Sequence, residues 1–333
     1  MDEITYYMVL CIFAVIAGLL IILLVLEHRR RKKEAYKTAE AERYYNGRME
    51  DMQKIYAKLL PVRLLKMLDV NDAAEITTGL QQEFTAAVMY VNTMDYIEAV
   101  HNINSGKLFA DINRVFKSLI PVILEKGGMI DKFERAGMSG LFTENNENAV
   151  EAAVLLCDAV EKLDDKEEYK GFSIGLTYGE VMFGVVGHSS RLSAVAMSES
   201  ITLARFLQRK ALKYYARILF TYEFIQCIED FHKKYNSRLL GYFYDQTRDK
   251  MVRIYDIYDG DAIKIKQSKR KTRLIFEQGV DRYIQGDYQE ARLYFVEVLK
   301  ADRNDLAAKE YLYLCDKYSN QKEKDIRIYI EKY

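Results

Sequence analysis

The sequence predicts an α/β protein of the α+β kind, in which a mixed β-sheet is covered by helices. Strand-like apolar runs alternate with longer segments whose apolar residues recur at helical spacing, and hairpin signals lie among them between Phe84 and Tyr258. The chain has 333 residues, which is enough for one large or two small domains with a substantial core. We therefore expect one sheet-containing domain with additional segments at both ends.

Composition excludes some classes of function. Lys and Arg total 49, and Asp and Glu also total 49, so the formal net charge is zero. A nucleic-acid-binding protein would need a basic face, so we expect no nucleic-acid partner. The four cysteines lie far apart in the sequence: Cys11, Cys157, Cys227 and Cys315. Because they form no C-x-x-C pair, we expect neither a zinc site nor disulfides.

The first element is an apolar segment, Ile4–Leu26, which carries no charge and is long enough to span about 30 Å of hydrocarbon. It predicts a transmembrane helix over residues 4–26, with residues 1–3 as a short extracytoplasmic end. The basic cluster Arg29–Lys33 follows at once. Basic residues stay in the cytoplasm, so we expect a single-pass inner or plasma membrane protein with a cytoplasmic globular part. Contact of this cluster with anionic lipid is an alternative role.

Residues 27–66 are predicted to be a juxtamembrane basic cluster followed by a helical linker. Within the linker, five apolar residues recur at alternating spacings of four and three: Tyr45, Met49, Met52, Tyr56 and Leu59. This spacing is typical of a coiled-coil seam that would hold two copies in parallel. A single amphipathic helix that lies on its own domain explains the same pattern.

The sheet domain is predicted over residues 67–260. Its expected strands cover residues 84–91, two segments within 172–186 separated at Tyr178–Gly179, and residues 217–220, 240–244 and 252–258. Its expected helices cover residues 107–125, 149–163 and 199–212. Between the first two helices, Gly127–Phe142 alternates apolar and polar residues around a small-residue corner at Ala136–Gly137. This pattern predicts a tight β-hairpin with one face buried.

Several of these segments resemble class III adenylate/guanylate cyclase homology domains. The hairpin contains the family's GG-x-I-DKF pattern at residues 127–133, and a spaced glycine signature runs from Ile174 to Gly187 and is closed by Arg191. A proline-marked entry at Pro61 and the closing strands extend the resemblance over roughly residues 58–258. It implies the ferredoxin-like mixed sheet of the cyclase fold, although a fold alone does not establish activity.

The resemblance also implies a chemistry, in which a ribose 3′-oxygen attacks the α-phosphorus of a nucleoside triphosphate. Two aspartates hold two divalent metals, while an asparagine and an arginine four residues apart on one helix stabilise the transition state. A lysine and a small polar residue read the purine. The metal group and the transition-state group come from opposite subunits of a head-to-tail dimer.

Carried onto this sequence, the two metal aspartates correspond to Asn92 and Ala136, and the transition-state pair corresponds to Thr202 and Phe206. An amide and a methyl group supply no negative charge for Mg²⁺. Arg205 lies one residue from the arginine position, about 100° round the helix, so a small register error would restore it. A second copy of this chain would not complete the site in a dimer, because both the metal-binding group and the transition-state group are altered in it.

The purine-reading lysine corresponds to Lys132, and its polar partner corresponds to Val195, which cannot accept a hydrogen bond from a base. A solvated strand residue is an equal alternative for Lys132. We therefore expect a catalytically silent cyclase domain that needs no cofactor and acts as a signalling scaffold, as a homodimer or a heterodimer with another cyclase domain. The alternatives are an active cyclase using Mg²⁺ or Mn²⁺ with ATP or GTP, and a nucleotide sensor without turnover.

The C-terminal part is predicted to be helical. Residues 261–273 form a basic linker, which is most often a solvated spacer. Residues 274–320 resemble one tetratricopeptide (TPR) repeat with a capping helix, in which Gly279, Ala291 and Phe295 hold the small, small and aromatic packing positions. A single repeat must pack on the sheet domain or on another chain, so we expect a docking element for a protein partner. Residues 321–333 are expected to be a charged tail.

Overall fold

A computed structural model describes residues 3–59, 66–70, 75–95, 97, 106–163, 171–188, 191–246 and 248–319. The chain divides into two units, Met1–Lys66 and Met67–Tyr333. Pro61 and the charged tail predicted over residues 321–333 lie outside the described residues, as do the first two residues of the predicted extracytoplasmic end.

The first unit contains one long helix, α1 (Glu3–Leu59), which includes both the apolar segment and the predicted helical linker. Within the part of the chain that the structure describes, no helix is both long and apolar enough to cross a membrane. The transmembrane helix predicted over residues 4–26 is therefore not confirmed. Along the predicted seam, Tyr45, Met49 and Met52 are exposed. The side chains of Tyr56 and Leu59 lie outside the described ones, so the seam stays a prediction.

The second unit is built on a mixed eight-stranded sheet. The strands are β1 (Gln81–Asn92), β2 (Met129–Glu134), β3 (Gly137–Phe142), β4 (Ser173–His188), β5 (Arg191–Met197), β6 (Ile218–Thr221), β7 (Ser237–Asp245) and β8 (Lys250–Ile257). Their order across the sheet is β2-β3-β1-β4-β6-β8-β7, and β5 pairs with the second half of β4. Strands β4 and β6 are parallel, whereas the other pairs are antiparallel.

The helices of this unit lie between and after the strands. They are α2 (Leu108–Glu125), α3 (Glu147–Leu163), α4 (Glu199–Lys213), the short α5 (Tyr222–Gln226) and α6 (Phe231–Lys234), and the C-terminal α7 (Ile263–Ile284), α8 (Tyr288–Ala301) and α9 (Leu306–Tyr318). The predicted mixed α+β sheet covered by helices is confirmed. Elements α5, α6 and β5 were not predicted from the sequence.

The hairpin β2–β3 forms where it was predicted, but its corner lies at Arg135–Ala136 rather than at Ala136–Gly137. Arg135 adopts a left-handed conformation with φ of 52°. Gly137 belongs to β3, and a Cβ on it would lie 3.0 Å from the backbone oxygen of Val91. The glycine therefore allows β3 to lie close against β1.

Strand β4 is one continuous strand, so the two-strand prediction for residues 172–186 is wrong. Gly179 does not form a turn, because it pairs with Ala86 in an unbroken ladder between β1 and β4. The absence of a side chain at Gly175 serves packing instead: a Cβ there would overlap the backbone of Ala204 in α4. Part of the spaced glycine signature thus brings α4 directly onto the sheet.

Two hydrophobic cores lie on opposite faces of the sheet. Alternating residues of one strand show the division, since Ile218 and Phe220 of β6 pack into the first core and Leu219 packs into the second. The first core includes residues of α2 and α3, and the second includes residues of α4 and of the C-terminal helices.

The C-terminal helices pack on the sheet, and this arrangement corrects the linker predicted over residues 261–273. Those residues begin helix α7 almost at once, and Lys269 within them is buried. The turn between α7 and α8 and a further helix, α9, form within this segment, and its assignment as a TPR repeat stays a prediction. The packing residues Ala291 and Phe295 are fully buried, and a Cβ on Gly279 would lie 2.9 Å from the Phe295 ring. The Tyr311 hydroxyl donates to the backbone oxygen of Leu240 on β7 at 2.9 Å.

Candidate functional site

Asn92 and Ala136 lie beside each other, where the end of β1 meets the corner of the β2–β3 hairpin. Asn92 is paired with Gly137 in the antiparallel ladder between β1 and β3. The residue that follows β1, Thr93, donates two hydrogen bonds to the Ala136 carbonyl oxygen, from its backbone N–H at 2.9 Å and from its hydroxyl at 2.6 Å. Backbone pairing therefore fixes the relative position of the two residues that were predicted to correspond to metal aspartates.

The residues at this corner do not fit a pair of divalent metals. Ala136 has an exposed fraction of 0%, and its methyl group is part of the first hydrophobic core. The side-chain oxygen of Asn92 accepts a hydrogen bond of 2.8 Å from the backbone N–H of Met94. In the described ranges, no group of three or more His, Cys, Asp or Glu side chains is placed to hold a metal ion. Neither position offers the anionic oxygen that Mg²⁺ favours.

Helix α4 carries Thr202 and Phe206, the two residues predicted to correspond to the transition-state pair. The helix starts at an N-cap serine, Ser198, whose hydroxyl accepts from the backbone N–H of Ser200 at 2.9 Å. Thr202 is exposed, whereas Phe206 is buried in the second core with its ring 5.1 Å from that of Phe243. The structure therefore places Phe206 in a packing role.

A group of polar side chains from β1, β2 and α4 meets nearby, and we call it the Glu134 cluster. It consists of Tyr90 on β1, Lys132 and Glu134 on β2, and Arg205 on α4. Glu134 forms ion pairs with Lys132, at 3.0 Å, and with Arg205. It also hydrogen-bonds to Tyr90, and the Arg205 guanidinium lies 4.9 Å from the centre of the Tyr90 ring. Lys132 and Arg205 are thus paired with one carboxylate.

The pKa values of the cluster follow from this geometry. Partial burial alone would raise the pKa of Glu134, but Lys132 and Arg205 outweigh it and the pKa is lowered. Burial raises the pKa of Tyr90. Arg205 acts in the opposite direction, but the nearby Glu134 carboxylate raises the pKa further, so the net shift is upward. At neutral pH, Glu134 is therefore ionised and Tyr90 keeps its proton.

Arg205, one residue from the predicted arginine position, is bound within the Glu134 cluster. Its guanidinium is held by Glu134 and Tyr90, and its buried Nε has no hydrogen-bond partner among the described residues. Sequence reasoning pointed to Arg205 but missed Glu134 and Tyr90. An acidic residue two positions after Lys132 was the available signal, but sequence alone could not reveal its partners on β1 and α4.

The two predicted purine positions lie on β2 and β5. Lys132 has an exposed side-chain fraction of 46%, and Val195, paired with Gly184, is partly buried. Between Ile130 and Lys132 the pairing of β2 with β3 shifts, so Asp131 is the extra residue of a β-bulge. The exposure of Lys132 and its ion pair agree with a solvated strand residue, and its predicted contact with a purine stays a prediction.

Asp131 connects this bulge to its surroundings. The Ser139 hydroxyl donates to its carboxylate at 3.0 Å, and the backbone N–H of Ala196 on β5 also donates to it. Burial nevertheless raises the pKa of Asp131, because these donors and Lys132 only partly offset the loss of solvation. The carboxylate is thus held by the protein's own donors.

Comparisons with known proteins agree with this architecture. No family model matches the chain. It is 21% identical over 280 residues to the terminal-differentiation specific adenylate cyclase of Dictyostelium discoideum, which covers 80% of this chain and 13% of that protein. It is 20% identical over 215 residues to an adenylate cyclase of Anabaena cylindrica, covering 61% of this chain and 42% of that protein.

A solved structure of a bacterial light-regulated adenylyl cyclase is similar in fold. It superposes with a TM-score of 0.56 at 16% identity, over 70% of this chain and 69% of that chain. The chain has the fold of a class III nucleotide cyclase domain. It spans less than half the length of either curated relative. Within this cyclase fold, Asn92, Ala136 and the Glu134 cluster are the candidate functional site.

Proposed function

We propose that this cyclase-fold protein does not cyclise nucleotides and acts as a signalling scaffold or regulatory partner. The observation that carries the proposal is the fully buried methyl group of Ala136 beside the internally bonded amide of Asn92. A catalytic metal pair needs carboxylate oxygens at these two places. Loss of even one preorganised stabiliser costs about 3–4 kcal/mol of barrier, so loss of both metal ligands abolishes useful turnover.

The transition-state side supports the same proposal. Phe206 packs against Phe243, and the charge of Arg205 is compensated by Glu134. A homodimer would bring two such altered surfaces together. Turnover in a heterodimer would require a partner that supplies an intact metal group and an intact transition-state group for the same site.

The test is an assay of the full chain with ATP or GTP and Mn²⁺, with an active cyclase assayed alongside. We expect no cyclic product above background. Turnover that is lost in Lys132→Ala or Asp131→Ala would show instead that the chain is an active cyclase with unusual ligands. Lys300→Ala, outside the site, is the control for the site variants: genuine turnover should survive in it and be lost in Lys132→Ala or Asp131→Ala, whereas a contaminating activity would survive in all three.

A nucleotide sensor without turnover is the second candidate, and the retained, partly exposed Lys132 favours it. Calorimetric titration of the full chain with ATP separates the two candidates. A pure scaffold gives no heat of binding. A sensor gives a binding curve that weakens in Lys132→Ala but remains in Lys300→Ala.

We further propose that the chain pairs with itself or with another cyclase domain. The exposed Tyr45, Met49 and Met52 on α1 would form part of a parallel seam. Light scattering of Met49→Glu against Tyr36→Glu tests the seam, because Tyr36 is exposed on the same helix but does not belong to the repeat. A seam predicts that only Met49→Glu weakens association. A self-contained helix predicts no difference.

The C-terminal helices are proposed to dock a protein partner with their outer surface. Their packing face is occupied by the sheet, but Leu274, Leu293 and Tyr313 are exposed large apolar side chains. Crosslinking of the full chain to co-purified proteins, compared with a Leu293→Lys variant, tests this role. Loss of one specific crosslinked protein in the variant would support it, and an unchanged pattern would contradict it.

The proposed location at a membrane rests on the uncharged segment of residues 4–26 and the basic cluster after it. Flotation of the full chain with lipid vesicles, with and without residues 1–26, tests it. Flotation that depends on this segment supports the location, and an absence of flotation of the full chain contradicts it.

A further inference from the structure

The first turns of helix α7 have two faces of different character. The inner face packs against the sheet and includes Lys269, Thr272 and Phe276, which are all buried. The opposite side is exposed, and its residues are spaced so that they share one side of the helix. We call this side the α7 stripe, and it consists of Ile263, Lys264, Gln267, Arg270, Lys271 and Leu274.

The three cations of the α7 stripe have no ionic partner. They form no ion pair and no side-chain hydrogen bond within the ranges that the structure describes. Residues 263–274 contain no Asp or Glu. Two acidic groups beside this part of α7 are bound by other side chains of the helix, Asp259 by Lys266 at 4.0 Å and Asp302 by the Ser268 hydroxyl at 2.5 Å. The stripe therefore presents three uncompensated positive charges.

Two large aliphatic side chains lie at the ends of the α7 stripe. Ile263 is 74% exposed and Leu274 is 65% exposed, and eleven residues of helix separate them by about 16 Å. A single exposed aliphatic residue needs no explanation, but here two share one face with unpaired cations. A helix that lies in a membrane interface combines these features, because its cations meet anionic headgroups while its apolar side chains enter the boundary with the acyl chains.

Helix α8 offers a contrast on the same unit of the chain. Its Leu293 is 63% exposed, which is close to the exposure of Leu274. The α8 cations, however, are compensated, since Arg292 lies 2.7 Å from Asp316 and Lys300 lies 2.5 Å from Glu297. Unpaired charge, and not the exposure of an aliphatic side chain, thus distinguishes the α7 stripe.

We propose that the α7 stripe binds an anionic lipid surface, with its cations at the headgroups and with Ile263 and Leu274 at the boundary with the acyl chains. A nucleic acid would be held by the charges and would leave the aliphatic side chains without a partner. The inference concerns the second unit of the chain and does not depend on residues 4–26 reaching a membrane. It assigns Leu274 to lipid and leaves Leu293 and Tyr313 for a protein partner.

The first test uses fluorescence, because the sequence contains no tryptophan and a single introduced indole reports on its own surroundings. The full chain with Leu274→Trp should emit at shorter wavelength with vesicles of phosphatidylcholine and phosphatidylserine than with phosphatidylcholine alone. Leu293→Trp is the matched control and should respond to neither. No shift for Leu274→Trp with the anionic vesicles would overturn the proposal, and an equal shift for Leu293→Trp would overturn its location on α7.

The second test measures the role of charge. Lys271→Gln in the Leu274→Trp chain should weaken association with the anionic vesicles about fivefold. Lys309→Gln, which removes an exposed cation of α9, should have no effect. Salt at about 1 M should suppress the shift, because the Debye length falls to about 3 Å. Equal losses in the two lysine variants would overturn the assignment, because the charge of the whole chain would then drive binding.

Two further outcomes separate this proposal from its neighbours. A response of Leu274→Trp to soluble poly-glutamate but not to anionic vesicles would assign the α7 stripe to an acidic protein and overturn the lipid assignment. Flotation that depends on residues 1–26, with no shift for Leu274→Trp, would support the proposed membrane location and overturn the role of α7. Each substituted side chain is exposed, and thermal unfolding without vesicles checks that the fold is unchanged.

Discussion

Arg238 on β7 lies 2.6 Å from the carboxylate of Asp305 at the start of α9, and both side chains are almost completely buried. The same guanidinium lies 3.3 Å from Asp256 on β8 and 4.2 Å from the centre of the Phe276 ring on α7. Lys269 extends the network, because its ammonium group lies 2.7 Å from Asp256 and 2.6 Å from Asp261. These ion pairs connect the edge of the sheet to the C-terminal helices.

Asp305→Ala should destabilise the protein strongly. Burial would raise the pKa of Asp305, but Arg238 outweighs it and the pKa is lowered, so the ionised carboxylate stabilises the fold. Its removal leaves Arg238 buried without its nearest partner, which costs about 3–5 kcal/mol. It also removes the cap on Ala308 at 3.0 Å, worth about 1 kcal/mol. Urea unfolding measures the sum.

The matched control is Asp287→Ala, which removes the N-cap of α8 and no buried ion pair. Its side chain accepts from the backbone N–H of Glu290 at 3.0 Å. We expect a loss of only about 1 kcal/mol. If the two variants lose the same stability, the buried pair of Arg238 and Asp305 contributes nothing beyond capping.

The network shows why part of the fold could not be predicted from sequence. The segment KIKQSKRKTR has the high charge that is typical of a solvated linker, yet it starts helix α7 and buries Lys269. The carboxylates that compensate this lysine are Asp256 on β8 and Asp261 just before α7, and periodicity does not reveal such pairs. In contrast, α2, α3 and the β2–β3 hairpin were predicted correctly, because each is specified by the spacing of apolar residues within its own segment.

Glu134→Gln should lower stability at neutral pH, and this loss should shrink in acid. The pKa of Glu134 is lowered in the folded chain from an ordinary value of 4.5, so its stabilisation is present above that value and is lost as the pH falls through the folded pKa. Since the group is partly exposed, we expect a loss on the order of 1 kcal/mol. Thermal unfolding at pH 7 and pH 3 measures it. A loss of equal size at both pH values would rule out the ion pairs as its cause.

Asp131→Asn, three positions earlier on β2, should show the opposite sign. Burial raises the pKa of Asp131 above the ordinary 3.8. At neutral pH the buried ionised carboxylate therefore lowers the stability of the folded chain, whereas the protonated carboxyl present in acid does not. The amide oxygen can still accept from Ser139 and Ala196. We expect the variant to unfold about 2 °C higher at pH 7 and at the same temperature as the unmodified chain near pH 3. A lower unfolding temperature at pH 7 would contradict the raised pKa.

At the candidate site, the sequence predicted which elements carry the site residues better than it predicted which side chains contact them. The hairpin and β1 have strong local patterns, so the elements that bring Asn92 and Ala136 together could be predicted from the sequence. The environment of Phe206 and Arg205 could not, because it depends on Phe243 and Glu134, which lie elsewhere in the chain. A core contact and an ion pair between distant residues both require the tertiary structure.

Restoring both carboxylates should create a metal site at the cost of stability. Ala136→Asp alone places an unpaired carboxylate in the first core and should cost about 3 kcal/mol or more. Adding Asn92→Asp brings a second negative charge beside it and lowers stability further in metal-free buffer. Mn²⁺ then has two carboxylates to bind, so the double variant should regain about 2.7 kcal/mol when Mn²⁺ reaches 100 times its dissociation constant.

The measurement is thermal unfolding of each variant with and without Mn²⁺. Ala136→Asn is the control, because it has the size of the aspartate without its charge and should show no response to the metal. The unmodified chain should also show none, and the double variant should remain without turnover because Thr202 and Phe206 are unchanged. A rise in the unfolding temperature of the unmodified chain with Mn²⁺ would contradict the view that Asn92 and Ala136 leave this corner unable to bind metal.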